Sequence, residues 1–471
     1  MIRDFALGLV LLAASGAACC EDLIAVYEQA LTSDPLIREA DANRKATREA
    51  RPQAVSALLP QISGTASYFE NKFEGESDQA QIIDGTISIL SQPGTRKPED
   101  TDWNVTLRQN IFRWENWVTL KRASREVAQA EADYQAFEQD LRLRVSIAYF
   151  EVLAGRDNVQ AQESNLEAVS RQLEQAEKRF EVGLIAITDV QESRAARDNA
   201  AAELIAAKRA LATAEELLRE ITGQKYTILE KPGDTLPLKS PEPASEDQWV
   251  QVSMDQNLAL ISSRLAADIA RDDVRNAFGG HLPTLDFVAS RGNSSSTTTQ
   301  TFPDVPAVEL ESDTDATLLG LEFTLPIFSG GFTQSRVRQQ EYLWQASRER
   351  LERVSRETER QARDAYLGVT SEISRVTALK QAFESSRTAL RATEAGFEVG
   401  TRTTVDVLAA RRNVVQAFTS LSRAKYDYLL NVLRLEQAAG TLDRGTLEEI
   451  NAWLDEPTTP TPRPTTPPAT R

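Results

Sequence analysis

The side chains that could do chemistry are few and poorly placed for it. The chain holds one histidine, His281, in an "HLP" at a strand start, where a structural role is expected. Its two cysteines, Cys19 and Cys20, are adjacent and end the apolar run "FALGLVLLAASGAA". A Ser–His–Asp set needs a positioned histidine, and a leader removed before Glu21 would take thiol catalysis, disulfides and cysteine metal sites with it. No catalytic residue, cofactor or built metal site is therefore expected, and the chain reads as no enzyme. What remains are carboxylates, arginines and hydroxyls, gathered in a phrase used twice. "RFEVGLIAITDV" starts at Arg179, and "GFEVGTRTTVDV" starts at Gly396, 217 residues later. Carboxylates alone on solvated helices make no active site, so the question is what elements put them there.

Residues 1–20 read as a secretory signal peptide, with Arg3 ahead of the apolar run and small residues behind it. "GAAC" also resembles a lipoprotein cleavage box, although Gly16 is a poor residue for its first position; lipidation of Cys19 is the lesser reading. The formal net charge of −17 argues against a nucleic-acid partner, whose phosphates would be repelled. No later stretch reaches 18 apolar residues, so no transmembrane helix is expected. A membrane β-barrel gives a much weaker signal and stays open.

The repeated phrase belongs to a longer duplication. "AYFEV" at Ala148 matches "AYLGV" at Ala365, and Gly223 matches Gly440, at the same offset of 217. "NIF" at Asn110 meets "PIF" at Pro326, and "LPQI" at Leu59 meets "LPTL" at Leu282. The two repeats span residues 21–223 and 257–440.

Each repeat begins with a helix and two strand-like segments, over residues 61–112 and 284–328. Leu319, Leu321, Phe323 and Leu325 alternate with Gly320, Glu322 and Thr324, the period of two that sorts residues to opposite faces of a sheet. Either a soluble sandwich or a barrel wall with lipid outside and a wet lumen inside fits this pattern. The polar segments Asn71–Asp100 and Arg291–Asp315 read as long loops; the second contains "NSSSTTTQT", which cannot pack a core. Phe112, Trp114 and Trp117 are read as core or as an interfacial aromatic girdle, the latter being favoured.

After each strand pair comes a long helical stretch. From Glu115 to Phe180 there is no proline and one glycine, enough for a helix of roughly 100 Å. Leu120, Ala123, Val127, Ala130, Tyr134, Phe137 and Leu141 follow coiled-coil spacing. The repeated phrase then ends one helix and starts the next. Gly183 and Gly400 suit left-handed C-caps, while Thr188-x-x-Gln191 and Thr403-x-x-Asp406 match capping boxes. The tip turns are placed at residues 183–188 and 400–405. Four strands cannot close a barrel that needs about eight, so the chain is expected to share one with other copies.

These residues resemble the outer membrane efflux protein family, the trimeric channel-tunnels of Gram-negative efflux and type I secretion. The likeness runs from "EDLIAVYEQALTSDP" to "AAGTLD" and is most specific in "RFEVGLIAITDVQ", "GHLPTLDFVAS", "LPIFSGG" and "VGTRTTVDVL". The resemblance implies a mixed α and β fold: a trimer sharing a twelve-stranded transmembrane β-barrel, continuous with a long periplasmic α-helical barrel of coiled coils. It also implies a small equatorial domain, placed at residues 224–256 and 441–456. The Pro/Thr-rich tail, 457–471, is expected to be disordered. Implied partners are the homotrimer itself, a periplasmic adaptor (membrane-fusion) protein, an inner-membrane efflux pump or ABC transporter, and outer-membrane lipid, with no nucleic acid. The implied function is a passive exit duct for multidrug efflux, type I protein secretion or both.

By the same resemblance, Asp406 matches an aspartate of the ring that constricts the entrance and binds cations. Arg402 matches an arginine that reaches Thr188 and Asp189 of a neighbouring subunit. Gln172 and Glu394 match a hydrogen-bonded pair within one subunit, with a solvated helix face as the equal alternative. Gly183, Leu184, Gly400 and Thr401 stand at the tips that an adaptor would touch. Two departures matter: the family's second ring aspartate is Ala409 here, and its gate tyrosine is Phe397. Arg411 and Arg412 lie close by, so the entrance is expected to reject anions less; which way they face is left open. The rival reading, a trimeric coiled-coil adhesin or stalk on a shared barrel, needs a head domain, and no segment is left to make one.

Overall fold

The computed structural model describes residues 21–83, 86–233, 236–303 and 305–457. The leader with Cys19, and the tail beyond 457, lie outside the described residues. The fold is mixed α and β. In chain order it runs α1 (Leu23–Ser33), α2 (Pro35–Arg48), α3 (Ala50–Ser56), β1 (Gln61–Glu70), β2 (Phe73–Ile83), β3 (Thr86–Phe112), α4 (Trp114–Glu181) and α5 (Ile187–Thr222). Then follow β4 (Glu230–Pro232), α6 (Glu246–Gln256), α7 (Leu258–Gly279), β5 (Thr284–Phe302), β6 (Val305–Thr324), α8 (Phe332–Glu398), α9 (Thr404–Ala439), α10 (Arg444–Asn451) and β7 (Leu454–Pro457). The long helices match in pairs: α4 and α8 have 68 and 67 residues, and α5 and α9 have 36 each. Two compact units result, one of residues 44–130 and 263–351, the other of residues 1–43, 131–262 and 352–471. Each unit takes segments from both halves of the sequence.

The first of these units carries an antiparallel sheet in the order β1-β3-β5-β6. β2 pairs with one end of β3, from Phe73 opposite Arg96 to Ile83 opposite Thr86, while β1 pairs with the other end. The sheet is therefore four strand positions wide. Register puts Ile62, Leu107, Ala289 and Leu319 in one row across it. The next row in register, Ser63, Thr106, Ser290 and Leu318, is mostly polar and points to the other face. On that polar face Arg108 and Glu322 pair at 2.7 Å. Ile62 and Leu319 are 70% and 74% exposed, and so large an open apolar face marks a surface that lipid or protein must cover.

Two expectations are corrected here. Residues 71–100 and 291–315 are largely strand, continuing the hairpins β2–β3 and β5–β6. A ladder pairs backbone groups whatever the side chains are, and threonine is a good strand former; "NSSSTTTQT" fills no core but fills a two-sided polar strand, with Ser296 donating to Asp100 at 2.5 Å. The last strand also stops at Thr324 and not at 328, because Pro326 has no N–H for the ladder and restricts Leu325. Phe112, Trp114 and Trp117 are exposed, which rules out the core reading within one chain. In the flanking helices, Arg125 and Arg275 both reach the fully buried Asp272, and Arg122 pairs with Asp273 at 2.9 Å, clamping α4 to α7.

The other unit has the continuous hydrophobic core, centred on Leu23, Tyr149, Phe150, Leu218, Leu429 and Leu433. Residues of the two segments outside the repeats, Trp249 and Leu447 among them, pack into it. β4 pairs with β7, and the Tyr149 hydroxyl donates to the Glu230 carbonyl at 2.7 Å. The Leu23 amide donates to Asn451 Oδ1 at 2.9 Å, and Asn451 Nδ2 donates to Asp22 at 2.8 Å. Among the described residues no helix is long and apolar enough to cross a membrane.

Candidate functional site

The repeated phrase makes two helix turns with the same stop. After α4, Gly183 takes φ +75°; after α8, Gly400 takes φ +78°. A side chain at either would be strained, because Cβ crowds the following carbonyl in the left-handed region. Gly183 donates to the Phe180 carbonyl at 2.8 Å and Leu184 to that of Arg179 at 2.9 Å. Gly400 donates to Phe397 at 3.1 Å and Thr401 to Gly396 at 2.8 Å. Both turns thus close with the paired bonds of a Schellman motif, satisfying carbonyls the helix leaves open.

The restarts differ. α9 begins at a full capping box: the Asp406 amide donates to Thr403 Oγ1 at 3.2 Å, and the Thr403 amide donates to Asp406 Oδ2 at 2.9 Å. α5 begins with Ala186 at the cap and no side-chain acceptor. The box expected from Thr188 to Gln191 does not form, because the helix starts at Ile187 and Thr188 already lies in its first turn. The 217-residue offset would have shown this: it sets Ala186 against Thr403 and Asp189 against Asp406.

The capping bonds decide the charge on Asp406. The Thr403 amide, then its hydroxyl, then nearby Arg402 hold its carboxyl below the usual aspartate range. Within one chain the shift is therefore downward; only a ring of copies could supply the opposing push of like charges. Asp189 has no side-chain bond within the chain among the described residues, and Arg402 makes no hydrogen bond to it or to Thr188. The Arg402 stem instead lies over Gly396, where a Cβ would come within 2.8 Å of its Cγ. Val182, Leu184 and Val399 are 70%, 74% and 75% exposed, and Thr401 is exposed beside them.

Gln172 and Glu394 are not joined by a hydrogen bond among the described residues. Glu394 is taken by Arg411 at 2.5 Å, a bond from α8 to α9 across the turn. Sequence reasoning missed this pair and its counterpart, Glu177 with Arg194 at 3.0 Å from α4 to α5. It also missed Arg179, whose guanidinium sits 5.1 Å from the centre of the Phe397 ring. The offset of 217 relates Glu177 to Glu394 and Arg194 to Arg411, and was the available signal. Arg412 is exposed. Among the described residues no group of three or more His, Cys, Asp or Glu side chains could hold a metal ion within one chain.

A family model described as outer membrane efflux protein matches residues 26–224 and 249–441. Outer membrane protein TolC of Vibrio cholerae is 37% identical over 93% of this chain and 95% of its own length. Outer membrane protein TolC of Escherichia coli is 35% identical over 97% of this chain and 90% of its own. Among solved structures, the outer membrane protein VceC from Vibrio cholerae superposes with a TM-score of 0.70 at 20% identity, over 89% of this chain and 96% of that one.

Proposed function

The chain belongs to the outer membrane efflux protein family, and from that premise we propose that three copies build its duct. It resides in the outer membrane and serves as an exit duct for efflux and type I secretion. Channel families of this kind are not enzyme families. Each copy contributes four strand positions to a shared twelve-stranded barrel, and its long helices contribute to a periplasmic helical barrel. The observation that carries this is the sheet itself: four positions wide, with β1 and β6 unpaired at its edges and one apolar face exposed. Open edges are aggregation hazards unless paired, and pairing β6 of one copy with the β1 edge of the next removes both.

The turns at Gly183 and Gly400 form the periplasmic entrance, where the exposed Val182, Leu184 and Val399 meet a periplasmic adaptor. There three Asp406 carboxylates ring the axis and bind cations, and Arg402 reaches Thr188 and Asp189 of a neighbouring copy. Energy comes from an inner-membrane pump or ABC transporter. Light scattering of the detergent-extracted protein tests the assembly: a trimer is expected, and a stable monodisperse monomer with full β content would end this reading. Planar-bilayer currents from the same preparation test the duct.

A further inference from the structure

The two turns are held by contacts of two kinds. Within each hairpin an ion pair ties the incoming helix to the outgoing one, Glu177 to Arg194 and Glu394 to Arg411. Both pairs span 17 residues and occupy equivalent places in the two repeats, so each hairpin carries the same staple just inside its turn. Between the hairpins, no hydrogen bond or ion pair joins residues 177–194 to residues 394–411 among the described residues. What joins them is Arg179 of α4, placed over the Phe397 ring of α8. A guanidinium is attracted to an aromatic face by the ring's quadrupole and needs no hydroxyl there. Arginine is weakly hydrated and flat, and stacks well for both reasons. The contact is one-sided, because the counterpart of Arg179 in the second repeat is Gly396, with no side chain to return it.

We propose that Arg179 is a latch residue: its guanidinium on Phe397 holds the second hairpin against the first in the closed duct. The two staples keep each hairpin rigid, so opening parts one hairpin from the other and leaves each hairpin's own helices together. This inference rests on the exit-duct reading.

The full-length protein tests it in two ways. In planar bilayers, Arg179→Ala and Phe397→Leu should each raise resting conductance by about two- to fivefold for every latch lost. The double variant should do no more than either single, and Phe397→Trp, with a stronger ring, should lower it. Independently of conduction, spin labels on Leu184→Cys and Thr401→Cys in a Cys19→Ala/Cys20→Ala background should show a narrow distance that broadens on Arg179→Ala. Labels on Glu181→Cys and Ile187→Cys, inside one hairpin, should be unaffected. Single variants at the unaltered resting level, an additive double, or an unchanged Leu184–Thr401 distance would overturn the latch. Absent currents in the unaltered protein would instead strike the duct reading, and the label distances would still decide the latch.

Discussion

The two hairpin turns began as one sequence and now stop alike but start differently. Both end a long helix at a left-handed glycine with the same two backbone bonds. The first then runs "LIAI" into a helix without a side-chain cap, whereas the second runs "TRTT" into a full capping box. The stop is dictated by geometry, since one residue must reverse the chain and only glycine does so without strain. A restart is negotiable, worth about 1 kcal/mol of capping, and could be exchanged for other uses. The first turn has kept apolar side chains in the open. The second has placed a hydroxyl, an arginine and a carboxylate within three bonds of one another, and its aspartate is held ionised by the cap.

Variants at the two turns can break or sharpen that comparison. The largest effect should come from the shared stop. Gly183→Val and Gly400→Val should each cost about 1–2 kcal/mol, and cells should become drug-sensitive while trimer levels stay normal. Loss of the trimer along with resistance would mean that the glycines serve folding alone. Next in size is the cap. Thr403→Ala should weaken the start of α9 by about 1 kcal/mol, and Ala186→Ser should strengthen α5 by a similar amount, with Asp189 already placed to complete its box. Amide hydrogen exchange at the two helix starts reads both changes, and equal responses would erase the contrast.

Charge effects should be smaller. Arg402→Ser removes an exposed ion pair worth about 0–1 kcal/mol per copy, and should raise resting conductance without altering block by periplasmic divalent cations. Asp406→Asn keeps an acceptor for the cap but should abolish that block; a block that survives would sink the ring assignment. The smallest effect is acid fraying. Asp406 has a lowered folded-state pKa, so its contribution is complete above the ordinary aspartate value and fades as pH falls through the folded one. From about pH 4 downward, exchange at the start of α9 should quicken while the start of α5 stays unchanged.

Much of this was legible in the residues. The absence of proline between Glu115 and Phe180 marked α4 nearly to its ends, and the two glycines marked both turns. The polar strands read as loops because polar composition speaks only against a packed core, and a ladder with solvent on both faces needs none. The first capping box was misplaced because Thr188 and Gln191 satisfy a local spacing, while helix entry is fixed by backbone conformation at Ala186. The staples and the Arg179 contact were hidden for another reason. Partners 17 residues apart, or on separate hairpins, acquire a spacing only once the turn between them is known.

The bond from Leu23 to Asn451 joins the first described helix to the last, and it sets a clock. Residues 428 apart in the chain cannot meet until α10 has left the ribosome, so α1 spends the whole of synthesis without its partner. Contacts this distant are slow to form, and a chain that cannot finish its core from the front remains unfolded while it is made. For a polypeptide that must be threaded across one membrane to reach another, that delay keeps it in a form that can still be threaded.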